Sequence, residues 1–135
     1  MPDRIRNAMV IDDDEVNRIA HKRVIERSGR IGNVVAFDDA EDAIAFLRRR
    51  DRPDIDVIFL DIHMPRMSGF EFLKAAAAEF RDLFARTVVV MLTSSIDPAD
   101  RRQAMACGAV RAFFNKPLSV EQIDEVVRIS GGGRS

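Results

Sequence analysis

The chain predicts an α/β fold, a doubly wound parallel sheet of five strands in the order 2-1-3-4-5 with five helices on its faces. Three observations lead there. Short apolar runs alternate with amphipathic segments of helical period along the whole chain, and that alternation implies right-handed crossovers and a parallel sheet. Two of the runs, Val57 to Leu60 and Val88 to Leu92, are apolar at every position, as strands buried on both faces are. Four runs stop at chemically capable residues, Asp12/Asp13, Asp61, Thr93 and Lys116. Open sheets of this kind place their ligand crevices at the strand carboxyl ends, and the five-stranded version favours the order given.

Taken in order, Ala8 to Ile11 is the first strand and stops at three carboxylates, Asp12-Asp13-Asp14. Helical spacing follows, with Val16, Ile19, Ala20 and Val24 on one face, and Ser28-Gly29 ends that helix. Asp14 reads as a helix-start residue favoured by the helix dipole. His21 reads as solvent-facing on the same helix. Asn33 to Phe37 is the second strand. Ala40, Ala43, Ile44 and Leu47 form the inner face of the second helix, whose basic end, Arg48 to Arg50, reads as a solvated helix terminus.

Pro53 separates this helix from the third strand, which ends in Asp61 before Pro65 blocks further pairing. Ser68-Gly69 opens the third helix, with Phe70, Leu73, Ala77 and Phe80 inward. The fourth strand ends in Thr93-Ser94-Ser95. Asp97-Pro98 is an N-cap followed by proline at the first helical position, and this helix closes at Gly108. Val110 to Phe114 is the last strand and ends in Asn115-Lys116-Pro117. Ser119 and Gln122 fit a capping box for the final helix, with Val120, Ile123, Val126 and Val127 inward. Residues 1–130 read as one domain, and Gly131 to Ser135 as a flexible tail or linker stub.

Composition narrows the function. With 21 basic and 22 acidic side chains the formal net charge is −1, which argues against nucleic acid as the main partner. The single cysteine, Cys107, cannot form an internal disulfide and reads as a small buried hydrophobe; a reducing cytoplasm is the simplest setting. No apolar run approaches the roughly 20 residues needed to span a bilayer, and Met1 to Asn7 is charged with no apolar core, unlike a signal peptide.

In a parallel sheet all strand carboxyl ends lie along one edge, so Asp12, Asp13, Asp61, Thr93 and Lys116 should converge. Clustered carboxylates raise one another's pKa. A hard divalent cation removes that penalty, and a few carboxylates with retained waters suit Mg²⁺. Asp61 then has a role as nucleophile, because carboxylates accept phosphoryl groups as acyl phosphates. Lys116 offers a mobile charge to a phosphoryl oxygen and Thr93 a hydroxyl.

With these residues in view, the sequence resembles the receiver domain of two-component response regulators, including the single-domain chemotaxis type. The matching segments are Val10-Ile11-Asp12-Asp13, Leu60-Asp61-Ile62-His63-Met64-Pro65-Arg66-Met67-Ser68-Gly69, Met91-Leu92-Thr93-Ser94 and Asn115-Lys116-Pro117, in a span of about residues 8 to 130. The resemblance implies a flavodoxin-like receiver fold and a phosphoprotein of a two-component system or phosphorelay. Asp61 would take a phosphoryl group from a histidine kinase or phosphotransfer protein, and the domain would catalyse its own phosphorylation and slow dephosphorylation.

By the same resemblance, Asp13, Asp61 and the backbone carbonyl of His63 would hold Mg²⁺ directly, with Asp12 acting mostly through water. Thr93 and Lys116 would contact the phosphoryl oxygens, and Lys116-Pro117 would be a cis peptide. Phe113 matches the switch aromatic that turns inward when Thr93 moves. Phosphorylation would bias a surface built from the fourth helix, fifth strand and fifth helix, about residues 97–129, toward a downstream protein target. The expected protein is a monomer or weak dimer without nucleic-acid or membrane partners. The side chains of His63 and Ser95 would flank the phosphoryl group, unless His63 faces solvent and uses only its carbonyl.

Two other readings fit parts of the chain. Asp12-Asp13-Asp14-Glu15-Val16 also fits the nucleophile loop of haloacid-dehalogenase-type phosphatases, with Asp12 as nucleophile and Asp14 as general acid. That reading leaves Asp61-x-x-Met-Pro unexplained and lacks an acidic pair after Lys116. A receiver-like adaptor that is never phosphorylated is the other. Such adaptors usually lose the acceptor, an acidic residue or the lysine, and this chain keeps all of them.

Overall fold

In the computed structural model, which describes residues 5–94 and 97–132, the apolar runs pair as five parallel strands. These are β1 (Ile5–Ile11), β2 (Ile31–Phe37), β3 (Val57–Asp61), β4 (Val88–Thr93) and β5 (Val110–Asn115), ordered β2-β1-β3-β4-β5 as predicted. Helices α1 (Glu15–Ser28), α2 (Ala40–Arg48), α3 (Gly69–Glu79), α4 (Arg81–Phe84), α5 (Pro98–Met105) and α6 (Val120–Gly132) connect or follow them. Helix α4 is a single turn that the sequence reading missed, bringing the count from five to six. Four residues, Arg81 to Phe84, are too few to show a period, and no side chain caps them. Among the described residues no helix is long and apolar enough to cross a membrane.

Burial explains the strand sequences. Alternate residues face opposite sides of a strand. Met9, Ile11, Ile58, Leu60, Val89 and Met91 meet the helices α2, α3, α4 and α5 through Ile44, Leu47, Phe72, Leu83 and Ala104. Ala8, Val10, Val57, Phe59, Val88 and Val90 meet α1 and α6 through Ile25, Ile123, Val126 and Val127. Both faces of β3 are therefore dry, and each large apolar side chain there contributes about 1.5–3 kcal/mol.

Local signals set most helix ends where predicted. Asp14 accepts from Asn17 N–H as N-cap of α1, and Gly29 closes that helix with φ +68°, which its missing Cβ permits. Ser68 and Glu71 form a capping box at α3, Ser119 and Gln122 exchange the equivalent bonds at α6, and Asp97 caps α5 ahead of Pro98. That helix stops at Met105 rather than at Gly108. Helix α6 runs through Gly131 and Gly132, so it enters the segment predicted as tail; residues 133–135 lie outside the described residues.

Three inner faces differ from the predicted ones. On α1, Val16 is 76% exposed and Ile19 and Ala20 are also exposed, whereas His21 and Ile25 are buried. On the buried side of this helix Arg18 Nη1 donates to the Asp12 carbonyl at 3.0 Å, and Ile25 packs fully buried against the sheet. His21 therefore does not face solvent, contrary to the expectation. On α3 the buried residues are Phe72, Leu73 and Ala76, with Phe70, Ala77 and Phe80 only half-buried. On α6, Ile123, Val126 and Val127 are buried as predicted, but Val120 is exposed at the first turn. Cys107 is half-buried against the core rather than fully inside it. Arg48 and Arg49 pair with Glu79 and Asp51 at the surface, consistent with a solvated helix end.

The segment between β3 and α3 folds tightly back on the strand. Met67 N–H donates to the Pro65 carbonyl at 2.7 Å and Gly69 N–H to the Ile62 carbonyl at 2.8 Å. Arg66 has φ +68° and donates to Asp39 at the start of α2 at 2.9 Å. A Cβ on Gly69 would run into the Asp61 carbonyl and the Ile62 backbone. Gly69→Ala is therefore expected to lower stability by about 1–3 kcal/mol in urea unfolding, because backbone rather than a flexible side chain must move. Unchanged stability would show that the start of α3 shifts freely away from β3.

Candidate functional site

The carboxyl edge of the sheet gathers the predicted residues. In the parallel register Ile11 lies beside Leu60 and Asp61 beside Leu92, so the residues that end β1, β3 and β4 meet along one line. Asp12 Oδ2 accepts from Lys116 Nζ at 2.8 Å, and Lys116 Nζ is also 3.2 Å from Asp61 Oδ1. Oxygens of Asp12, Asp13 and Asp61 lie within 4.8 Å of one another. Asp12 and Asp61 are buried, whereas Asp13 is exposed at the mouth.

Thr93 is fully buried at the end of β4, and its carbonyl accepts from Lys116 N–H at 2.7 Å. That bond and the cis Lys116-Pro117 peptide, as predicted, fix where the lysine leaves β5.

The electrostatics follow from this geometry. Burial, reinforced by the neighbouring charge of Asp12, pushes the Asp61 carboxyl from its ordinary 3.8 up to about 6, against the opposing pull of Lys116 and a backbone hydrogen bond from His63. Burial also works against the Lys116 ammonium, but the hydrogen bond and charges of Asp12 and Asp61 outweigh it and hold its pKa above the ordinary lysine value. At neutral pH Asp61 is thus an ionised, poorly solvated and unusually basic carboxylate, which favours nucleophilic attack. Three clustered carboxylates are a hard-oxygen donor set that fits Mg²⁺.

Other predicted residues take varied places. The His63 side chain is 66% exposed, with Nε2 3.7 Å from Asp100 on α5. Phe113 is buried in the core beneath Arg101, whose guanidinium lies 5.9 Å from the ring centre. Ser95 lies outside the described residues. The Asp14 carboxylate accepts from Asn17 N–H as the α1 N-cap, the helix-start role predicted for it. Sequence reasoning missed Arg18 and His21, which approach Asp12 from α1. His21 is 1% exposed, with Nδ1 4.0 Å from Asp12 Oδ2. Burial depresses its pKa despite the attraction of Asp12, and Lys116 depresses it further, so the imidazole is neutral. Nothing in the local sequence signals either role, since each depends on which way α1 rolls.

Residues 8–128 match the sequence profile of the response regulator receiver domain. The chain belongs to that family. A two-component response regulator of Oryza sativa subsp. japonica, ORR41, is 30% identical over 94% of this chain and 95% of its own length. The Xanthomonas campestris sensory/regulatory protein RpfC is 31% identical over 85% of this chain and 15% of that protein. The chain spans a fifth or less of the first curated relatives it matches. Among solved structures, a receiver protein from Dyadobacter fermentans superposes with a TM-score of 0.82 at 28% identity, covering 93% of this chain and 97% of the other. A regulator from Cytophaga hutchinsonii shares the fold with a TM-score of 0.85 at 23% identity, over 97% and 99% of the two chains.

The raised Asp61 pKa predicts a stability effect. Because the folded-state value lies above the unfolded one, ionising Asp61 costs stability as pH rises from about 4 to 6. In buffer without divalent cations, Asp61→Asn should raise the unfolding free energy at pH 7 by roughly 1–3 kcal/mol. The gain should vanish by about pH 4, where wild-type Asp61 is also neutral. Urea titrations at the two pH values check this; a loss at pH 7 would mean that attraction to Lys116 outweighs burial and the repulsion from Asp12.

Proposed function

We propose that this receiver domain is a phosphoacceptor whose nucleophile is Asp61, fed by the phosphohistidine of a histidine kinase or phosphotransfer protein. The observation that carries the reading is the lysine bridge: Lys116 Nζ sits between Asp12 and Asp61 at 2.8 and 3.2 Å, beside a third carboxylate. An Asp61 oxygen attacks phosphorus, the phosphorus–nitrogen bond to the donor imidazole breaks, and the imidazole leaves as it takes up a proton. Positioning and charge neutralisation, rather than proton transfer by the protein, carry the step.

Asp12, Asp13, Asp61 and the His63 carbonyl would hold Mg²⁺, which supplies charge neutralisation for the incoming phosphoryl oxygens. Lys116 and the Thr93 hydroxyl bind those oxygens. Movement of Thr93 and Lys116 toward the phosphoryl group then biases α5, β5 and α6, with Phe113 as the packed element between them, and presents residues 97–129 to a protein target. The exposed Val16, Ile19 and Ala20 beside the mouth support a donor that docks against α1 by apolar contact. The balanced charge supports an output through protein rather than nucleic acid.

Incubation with acetyl phosphate, followed by intact-protein mass measurement, tests the reading. Wild type should gain one phosphoryl group only with Mg²⁺ present, and Asp61→Asn should gain none. No adduct under any condition would favour the unphosphorylated adaptor. An adduct that survives in Asp61→Asn would move the nucleophile to Asp12.

A further inference from the structure

His21 is a polar group that neither the family match nor the proposed chemistry uses. It is buried beneath the site on α1, and among the described residues its Nδ1 makes no hydrogen bond. That nitrogen lies 4.0 Å from Asp12 Oδ2. That oxygen is already served by Lys116 Nζ at 2.8 Å, while Asp12 Oδ1 accepts from Asp14 N–H at 2.9 Å. A lone pair on Nδ1 facing a carboxylate oxygen would be repelled, so the neutral imidazole carries its proton on Nδ1.

If Asp61 is phosphorylated as proposed above, Lys116 is drawn toward the phosphoryl oxygens, and Asp12 Oδ2, whose charge Mg²⁺ would share, loses the buried hydrogen bond that orients it. The Nδ1–H group stands about 1 Å short of a normal hydrogen bond to that same oxygen.

We propose that His21 is a positioning residue for phosphoryl transfer: its Nδ1–H takes over Asp12 Oδ2 when Lys116 turns to the phosphoryl group. Asp12 then keeps its orientation without the lysine, and Lys116 is released at little cost. The role belongs to the phosphorylated state, because in the state seen here Lys116 still holds Asp12. It also rationalises why α1 turns a histidine inward and leaves Val16 and Ile19 outside.

Calorimetric titrations of Mg²⁺, and of beryllofluoride as phosphoryl mimic in saturating Mg²⁺, test the inference on wild type, His21→Leu and His21→Asn. Leucine fills the volume without a donor, whereas the asparagine amide can place an N–H near the position of Nδ1. His21→Leu should bind Mg²⁺ as wild type does and bind beryllofluoride about tenfold more weakly, the loss of one hydrogen bond to a charged group. His21→Asn should recover most of that affinity. Equal beryllofluoride affinity in wild type and His21→Leu, or a parallel loss of both ligands, would overturn the inference.

A wild-type measurement covers the case in which His21→Leu does not fold. Imidazole ¹⁵N NMR should show a protonated Nδ1 whose proton moves downfield when Mg²⁺ and beryllofluoride are added. A bare Nδ1, or an unchanged imidazole while the Thr93 and Lys116 amides shift, overturns the role of His21 alone. A wild type that shows no response at any residue overturns the phosphoacceptor reading, and this inference with it.

Discussion

The ammonium of Lys116, wedged between the carboxylates of Asp12 and Asp61, is the contact on which the rest of this site depends. Two ionised carboxylates placed this close in a buried pocket repel each other and lack water to relieve the strain. A single cation within hydrogen-bond reach of both offsets much of that cost. It does not remove the cost, because Asp61 still titrates near 6. The domain therefore stores an unfavourable electrostatic arrangement at the end of its central strand. An added positive charge relieves it directly.

Everything upstream of that contact is architecture. Strands with apolar side chains on both faces must lie in the middle of a layered sheet, and parallel order brings their carboxyl ends to one edge. Asp12 and Asp61 end neighbouring strands, and Lys116 follows the edge strand, where its backbone is tied to Thr93. Gly69 allows the first turn of α3 to press against the backbone of Asp61 and Ile62. On the far side of the site, α5 lies over β5, with the Arg101 guanidinium 5.9 Å from the Phe113 ring centre.

Much of this was legible in the sequence, and the exceptions share one cause. Continuous apolar runs such as Val57 to Leu60 specify a doubly covered strand without reference to anything distant, and the residue ending each run is then placed by topology alone. Caps at Asp14, Ser68, Asp97 and Ser119 are equally local. The roll of α1 is not. Its apolar residues Val16, Ile19 and Ala20 repeat at helical spacing, yet in the folded chain His21 and Ile25 are the buried residues and Arg18 reaches the Asp12 carbonyl, a partner the helix's own sequence does not contain. Helix α4 escaped detection because one turn carries no period. The extension of α6 into Gly131 and Gly132 runs against glycine's weak helix propensity, so no local signal announced it.

Asp61, and neither of the acidic residues beside it, is the proposed source of the oxygen bonded to the phosphoryl group. Borohydride trapping tests this most directly, since it reduces an acyl phosphate to an alcohol and leaves homoserine at the phosphorylated position. After treatment with acetyl phosphate and Mg²⁺, then borohydride, peptide sequencing by mass spectrometry should find homoserine at position 61 with Asp12 and Asp13 intact. Homoserine at position 12 or 13, with Asp61 unchanged, would contradict the account.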